Sequence, residues 1–460
     1  MVVAVLLVAA CSNTTQPSTA TPKAPTILTG SIGAARYTID VPQPWNGTLF
    51  LYSHGYVAPG STNPSSASPD PLTGQWLLSN GYALAASSYG STGWAIADAL
   101  HDQVALLDYF DQHVGKPKRV IAIGASLGGI ITAGLIQTYP DRFAGAIPLC
   151  GVLAGGVATW NTGLDAAYAF KTLFAPRSQL QLVRITNPDA NKQLAANLVA
   201  NATNTPAGVA RMALVSALAD LPGWFSPTEA EPAANNYAAQ ATAQTQWESR
   251  TDFPFAFAYR AELEQRAGGN PSWNAGVDYR HQLEISADRD EVTALYRAAG
   301  LDLNADLATL NAGANIKADA SAVAYLDRYI GFDGSITVPV LTLHTTADGL
   351  VIPQEETAYA DVVKAAGKRD LLRQVFVHRA GHCAFTSSEV LSVIQEMLHR
   401  LSTGVWEDAA LLPGAMNKEA LALGQQYNSI GGFLAAQPAF AQFSPGAYPR
   451  PFPKGSTLPA

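Results

Sequence analysis

Three residues of this chain stand where side chains can carry out nucleophilic chemistry. Ser126 lies in Gly124-Ala-Ser-Leu-Gly128, directly after an apolar run rich in β-branched residues. A serine hydroxyl is a poor nucleophile at neutral pH, so it needs a base to take its proton and a third group to hold that base. Glycines two residues to either side, Gly124 and Gly128, let the chain turn sharply from strand to helix with the hydroxyl clear of the sheet. The partners must then come from further along. Asp348 follows the apolar run 338–344 in Thr345-Thr-Ala-Asp-Gly-Leu-Val-Ile-Pro353, and His382 follows the run 372–378 in Arg379-Ala-Gly-His-Cys383. Both fall just past the C-terminal end of an expected strand, where open parallel sheets collect their chemistry. His378 competes with His382 but belongs to its strand; Asp361 and Asp370 compete with Asp348 but lie on or after a helix. Ser, Asp and His in that order suit acyl transfer. No Cys-x-x-Cys or clustered His/Cys spacing points to a metal, and no cofactor is expected.

The elements that must position these residues are legible on both sides of a long insertion. Residues 36–42 alternate and read as an edge strand closed by proline. Residues 48–52 form a buried strand running into Ser53-His-Gly-Tyr56, and residues 57–72 read as a Pro/Ser/Gly-rich loop. A short helix about Leu77, a strand over 82–88 and a helix over 94–113 lead to the Ser126 strand, a helix over 127–138 and a strand over 145–149. Strand–helix alternation resumes with strands at 338–344 and 372–378 about a helix at 354–366. Thr386-Ser-Ser-Glu389 is a capping box for a final helix to about 401. All-apolar central strands alternating with helices predict an α/β fold with a mostly parallel sheet covered on both faces. Between them, 151–334 shows helical periodicity and is too long for a loop, so it reads as an inserted helical cap. Its aromatic residues Trp160, Phe174, Trp224, Phe225 and Phe255 are expected in the cap's own core, and Glu229, Glu231, Glu262 and Glu264 on its surface. Residues 29–150 and 335–405 form the core; 406–460 is a C-terminal extension ending in a Pro-rich tail that wraps the surface.

Composition narrows the setting. The chain has 460 residues, 48% of them hydrophobic and 14% charged, enough to bury a large core. A net charge of −8 argues against nucleic acid or an anionic membrane surface as partner. Residues 1–11 are a short apolar run ending in Val8-Ala-Ala-Cys11. They resemble a bacterial lipoprotein signal with Cys11 as the lipidated residue, although Lys and Arg are absent before the apolar run. An ordinary secretory signal is the alternative. Residues 12–28, rich in Ser, Thr and Pro, would be a flexible linker. The expected setting is therefore extracytoplasmic, with membrane association only through a lipid at Cys11; oligomeric state is open.

The motifs together resemble the α/β-hydrolases, and more narrowly a bacterial serine esterase with a large cap after the sixth strand. The resemblance rests on Ser53-His-Gly-Tyr56, Gly124-Ala-Ser-Leu-Gly128, the Asp348 loop and Gly381-His382, covering roughly residues 30–150 and 335–402. It implies Ser126 as nucleophile, His382 as general base and then acid, and Asp348 as the residue holding the imidazole. It implies an oxyanion hole from the backbone N–H groups of Leu127 and Tyr56, with His54 and Gly55 shaping that loop. The remaining histidines, His344 among them, read as structural or exposed. Tannase and feruloyl esterase relatives place a cystine beside the catalytic His, but their partner cysteine precedes the serine, where this chain has Ala125. Cys150 and Cys383 are therefore either a disulfide pinning the His loop or two buried thiols. The resemblance implies hydrolysis of a small or polymeric carboxylic ester through an acyl-enzyme. A peptidase or amidase of the prolyl-peptidase type would use the same triad, and a non-catalytic surface binder the same fold.

Overall fold

A computed structural model describes residues 23–458; the Cys11 signal and most of the expected linker lie outside the described residues. The chain opens with β1 (Lys23–Ile32), β2 (Ala35–Gln43) and β3 (Thr48–Ser53), followed by α1 (Pro71–Ser79), β4 (Ala83–Ser87), α2 (Ile96–His113), β5 (Arg119–Ala125), α3 (Leu127–Thr138) and β6 (Gly145–Leu149). The cap then runs from α4 (Gly156–Phe174) through α5 (Pro188–Ala202), α6 (Pro206–Ala217), α7 (Tyr237–Trp247), α8 (Arg260–Ala267), α9 (Tyr279–Ile285), α10 (Arg289–Ala299) and α11 (Leu303–Gly313) to α12 (Ala320–Arg328). The core resumes with β7 (Val340–Ala347), α13 (Gln354–Ala365), β8 (Leu372–Ala380) and α14 (Ser387–Thr403). The extension adds α15 (Pro413–Ala422), the short pair β9 (Ser429–Ile430) and β10 (Leu434–Ala435), and β11 (Phe440–Ala441).

Nine strands form one sheet in the order β1-β2-β4-β3-β5-β6-β7-β8-β11. From β4 to β8 the pairs are parallel, and the added strands at either end are antiparallel. Parallel strands must be covered on both faces, and their alternation does this. Leu49, Leu51, Val120 and Ala122 pack toward α2 and α3, while Phe50, Tyr52, Ile121 and Ile123 pack toward α1 and α14. Register aligns Ser53 with Gly124, Ala125 with Leu149 and Ala347 with Ala380. The turns after β3, β5, β6, β7 and β8 thus leave the sheet along one rim.

Four expectations need correction. β2 is not the edge strand, because β1 pairs along it from Lys23 to Ile32. The linker expected over 12–28 therefore gives way to strand at Lys23; Pro25 hides that strand in the sequence, but proline is tolerated on an edge and the register shifts there. The helix capped at Thr386 does form the full box, yet α15 follows it, so it is not the last. The C-terminal tail does more than wrap the surface. β11 pairs with β8, and Tyr448 and Phe452 are buried against the cap.

Candidate active site

Ser126 stands between β5 and α3 with φ 60° and ψ −122°, a conformation that L-residues adopt only under constraint. Its N–H donates to the Leu149 carbonyl at 2.9 Å, and its carbonyl accepts the Gly129 N–H at 2.8 Å. A Cβ at Gly128 would overlap the Ser53 carbonyl, and one at Gly124 would overlap Gly128 itself. Close approach of three backbone segments therefore excludes side chains at both motif glycines. Gly55 lies against the nucleophile position, where an added Cβ would meet Ser126 Cβ at 3.3 Å. His54 is buried beneath that loop, stacked on Tyr89 with ring centroids 4.1 Å apart. Its Nδ1 lies 2.7 Å from the Gly55 carbonyl and its Nε2 3.2 Å from that of Ser88.

Asp348 follows β7 and is fully buried. Its Oδ1 accepts the Leu350 and Val351 N–H groups at 3.0 Å each, and its Oδ2 lies 2.7 Å from His382 Nδ1. Burial would raise this carboxyl, but the charges and hydrogen bonds of His382 and His344 outweigh it and hold the group down at about 2. Asp348 is thus ionised throughout the working range and fixes His382 with Nδ1–H toward it. Cys150 and Cys383 form a disulfide with Cα atoms 5.4 Å apart. His382 Nε2 sits 3.4 Å from Cys383 Sγ, and among the described residues the Ser126 hydroxyl forms no hydrogen bond in this state. Catalytic hydrogen bonds commonly tighten only when substrate is present. His378 lies in β8 and pairs instead with Glu231 at 3.0 Å on the surface.

Ser126 and Leu127 line the floor of a pocket enclosing about 840 Å³ of empty space, its mouth included. Tyr56 forms one wall, and its ring lies 4.8 Å from Phe255 and 5.6 Å from Tyr259 of the cap. The chain between α7 and α8 widens into two π-helical turns, 248–252 and 255–259, a local loosening frequent at functional sites. The Trp247 ring lies against Gly349, and Pro227 lies near Gly381, so the cap rests on both loops that carry partners of Ser126. Trp160 and Phe255 line this pocket, against the expectation that they serve only the cap's core. Glu262 and Glu264 are not free surface charges: Glu262 accepts the Trp94 N–H at 2.9 Å, and Glu264 is buried beside Arg260. The acidic residues in the pocket are others, Glu248 and Asp252, with Glu355 behind them. Burial lifts Asp252 to about 8, aided by the nearby Asp348 charge, and lifts Glu248 as well. No local signal marks these acids, because a Glu and an Asp four apart look like an exposed helix face. Nor does one mark Tyr448, which enters the pocket from the far end of the chain.

A strained serine elbow on a parallel sheet, with an Asp–His pair delivered from the ends of β7 and β8, defines a serine hydrolase on the α/β-hydrolase fold. The model of the prolyl oligopeptidase family matches residues 81–179, from β4 through the elbow into the cap. The chain is 29% identical over 401 residues to o-phthalyl amidase from Xanthobacter agilis, covering 80% of this chain and 86% of that protein. An esterase from Aspergillus oryzae aligns at a TM-score of 0.42 and 13% identity, over 83% of this chain and 80% of that one. Feruloyl esterase B from the same organism aligns at 0.40 and 15%, over 82% and 80%.

Proposed function

We propose that this protein hydrolyses small carboxylic esters through an acyl-enzyme formed on Ser126. The observation that carries the reading is the strained Ser126 elbow at the floor of a compact, mostly apolar pocket. His382 Nε2 takes the hydroxyl proton as Oγ attacks the carbonyl carbon, and Asp348 stabilises the imidazolium that results. The Leu127 and Tyr56 N–H groups receive the oxyanion. His382 returns the proton to the departing alkoxide, and a water, activated the same way, releases the acid. The pocket's aromatic walls, Tyr56, Trp94, Trp160 and Phe255, suit an aryl or short acyl group.

A second reading, hydrolysis of an aryl amide, is favoured by one observation: the relative matched over most of the chain is named an amidase. Matched p-nitrophenyl esters and p-nitroanilides of acetic, benzoic and 2-carboxybenzoic acid separate the two, with Ser126→Ala as control. Turnover of anilides without esters sinks the ester reading. Equal rates in wild type and Ser126→Ala sink the site. We also propose an extracytoplasmic setting with a lipid at Cys11. The Cys150–Cys383 cystine supports export, since such bonds persist in oxidising compartments. Incorporation of labelled palmitate that survives Cys11→Ser would refute the anchor.

A further inference from the structure

We propose that His344 is a permanent imidazolium, clamped between Glu356 and Asp348, that positions the triad aspartate and tempers its pull on His382. The inference rests on the reading of Ser126, Asp348 and His382 as the triad.

β7 carries polar side chains in its buried middle. Thr342 and His344 are fully buried on one face of the strand, where polar groups persist only with partners. His344 Nδ1 lies 3.0 Å from Glu356 Oε1, and its Nε2 lies 2.8 Å from the Val351 carbonyl oxygen and 3.6 Å from Asp348 Oδ2. Glu356 Oε2 accepts the Thr342 hydroxyl at 2.6 Å and a Gln374 side-chain N–H at 2.5 Å. With Oε2 already taken by two donors, Oε1 is the oxygen left to accept from the ring. A backbone carbonyl can only accept. Each ring nitrogen therefore faces an acceptor, one of them a carboxylate with a second carboxylate 3.6 Å away, and a proton on each nitrogen satisfies both while balancing the charge.

His54 provides the contrast inside the same molecule. Its two nitrogens also face carbonyls, but among the described residues neither bonds a carboxylate, and burial pushes the ring down. For His344, burial acts in the same direction, yet Asp348 and Glu356 outweigh it and carry the ring up to about 10. Charge decides between two otherwise similar rings.

The position gives the imidazolium two effects. It grips the Val351 carbonyl while Asp348 Oδ1 grips the Leu350 and Val351 N–H groups, so the 348–351 loop closes around the ring. It also offsets part of the Asp348 charge that His382 feels. The titratable groups facing Asp348 are His382 from the β8–α14 loop, His344 from β7 and Asp252 from the cap. Those facing His344 are Asp348 and, on α13, Glu356 and Glu355. Without the positive ring, His382 would bind its proton more tightly. The acid limb of the pH–rate profile would move to higher pH.

The test has two arms. Long-range proton–nitrogen spectra of the wild-type histidine rings should show one ring doubly protonated from pH 6 to about 9; a set of rings that are all neutral at pH 9 overturns the proposal. The second arm compares kcat/KM for p-nitrophenyl acetate against pH in wild type, His344→Gln and Glu356→Gln. His344→Gln should shift the acid limb upward by about half a pH unit or more, the scale expected for loss of a nearby buried charge; Glu356→Gln, which removes an anion together with the ring proton it holds, should shift it in the same direction by less. Lower stability with an unmoved acid limb would make His344 a packing residue and overturn the proposal. If the wild type turns over no ester, the functional reading falls, and the spectra still decide the charge of His344 by themselves.

Discussion

At the scale of single residues, the site depends on how two buried charges are held. Asp348 accepts two backbone N–H groups on one oxygen and His382 on the other, so its geometry does not rely on solvent. Asp348→Asn would set an amide against His382 Nδ1 and select the wrong tautomer; kcat should fall roughly 10⁴-fold, measured on any ester the wild type accepts. The same substitution removes one of the two counter-charges of His344, so the melting temperature should fall as well. His344 sets a pH window for stability. Its ring is raised from an ordinary value of about 6.5 to about 10. The stability it contributes is fully present below about pH 6.5 and is lost as pH rises through about 10. Asp348 runs the opposite way: its contribution is present above about pH 3.8 and lost as pH falls through about 2. Calorimetric melts should show wild type losing stability between pH 6.5 and 10 more steeply than His344→Gln; parallel curves would contradict this.

At the scale of elements, the His382 loop is held at both ends. Arg379, near the end of β8, donates to Glu389 of α14 at 2.7 and 3.0 Å and to the carbonyls of Ala384 and Gln437 at 2.7 Å each. Glu389 meanwhile completes the capping box by accepting the Thr386 N–H at 2.7 Å, and accepts the Ala439 N–H at 2.8 Å. One buried ion pair thus ties strand, helix start and C-terminal extension around the catalytic loop. Glu389→Ala leaves Arg379 buried without its counter-charge, which costs about 3–5 kcal/mol, and it also removes half of the cap. Denaturant unfolding should register a loss of that order, and activity should drop even where the protein remains folded. Thr386→Ala should cost only about 1 kcal/mol. The capping box was readable from Thr386 and Glu389 alone. The second role of Glu389 was not, because Arg379 reaches it only when β8 and α14 come together.

At the scale of the whole molecule, the ends of the chain complete what the middle begins. β1 and β11 extend the sheet on either side, and the tail beyond β11 returns to the cap. There Arg450 meets the fully buried Asp165 of α4 at 2.9 and 3.0 Å and donates to the Trp273 carbonyl at 2.9 Å. Two residues earlier, Tyr448 bonds Thr162 at 3.1 Å and lines the pocket. The tail therefore latches the cap over Ser126. Arg450→Ala should strand a buried carboxyl and cost about 3 kcal/mol, and it should raise KM more than it lowers kcat, because Tyr448 shapes the pocket without touching the reacting atoms. Steady-state kinetics beside a melt check both parts; an unchanged KM would leave the latch a matter of stability alone.

The sequence by itself carried the strand–helix alternation, the elbow, the strand exits bearing Asp348 and His382, and the helical character of the insertion. Each is a local pattern: period, turn chemistry and residue type are properties of neighbours along the chain. Tertiary structure alone decided that Cys150 meets Cys383 across 233 residues, that Glu248 and Asp252 face the pocket, and that Tyr448 joins it. It also decided that His344, one more histidine in an apolar strand, lies between two carboxylates. Contacts between distant segments arise from the packing of β7 against α13, of cap on core and of tail on cap, and no local period encodes them. The polar pair Thr342 and His344 in a buried strand was the one trace left in the sequence, since buried polar groups demand partners. Which partners they find is a question that only the folded chain answers.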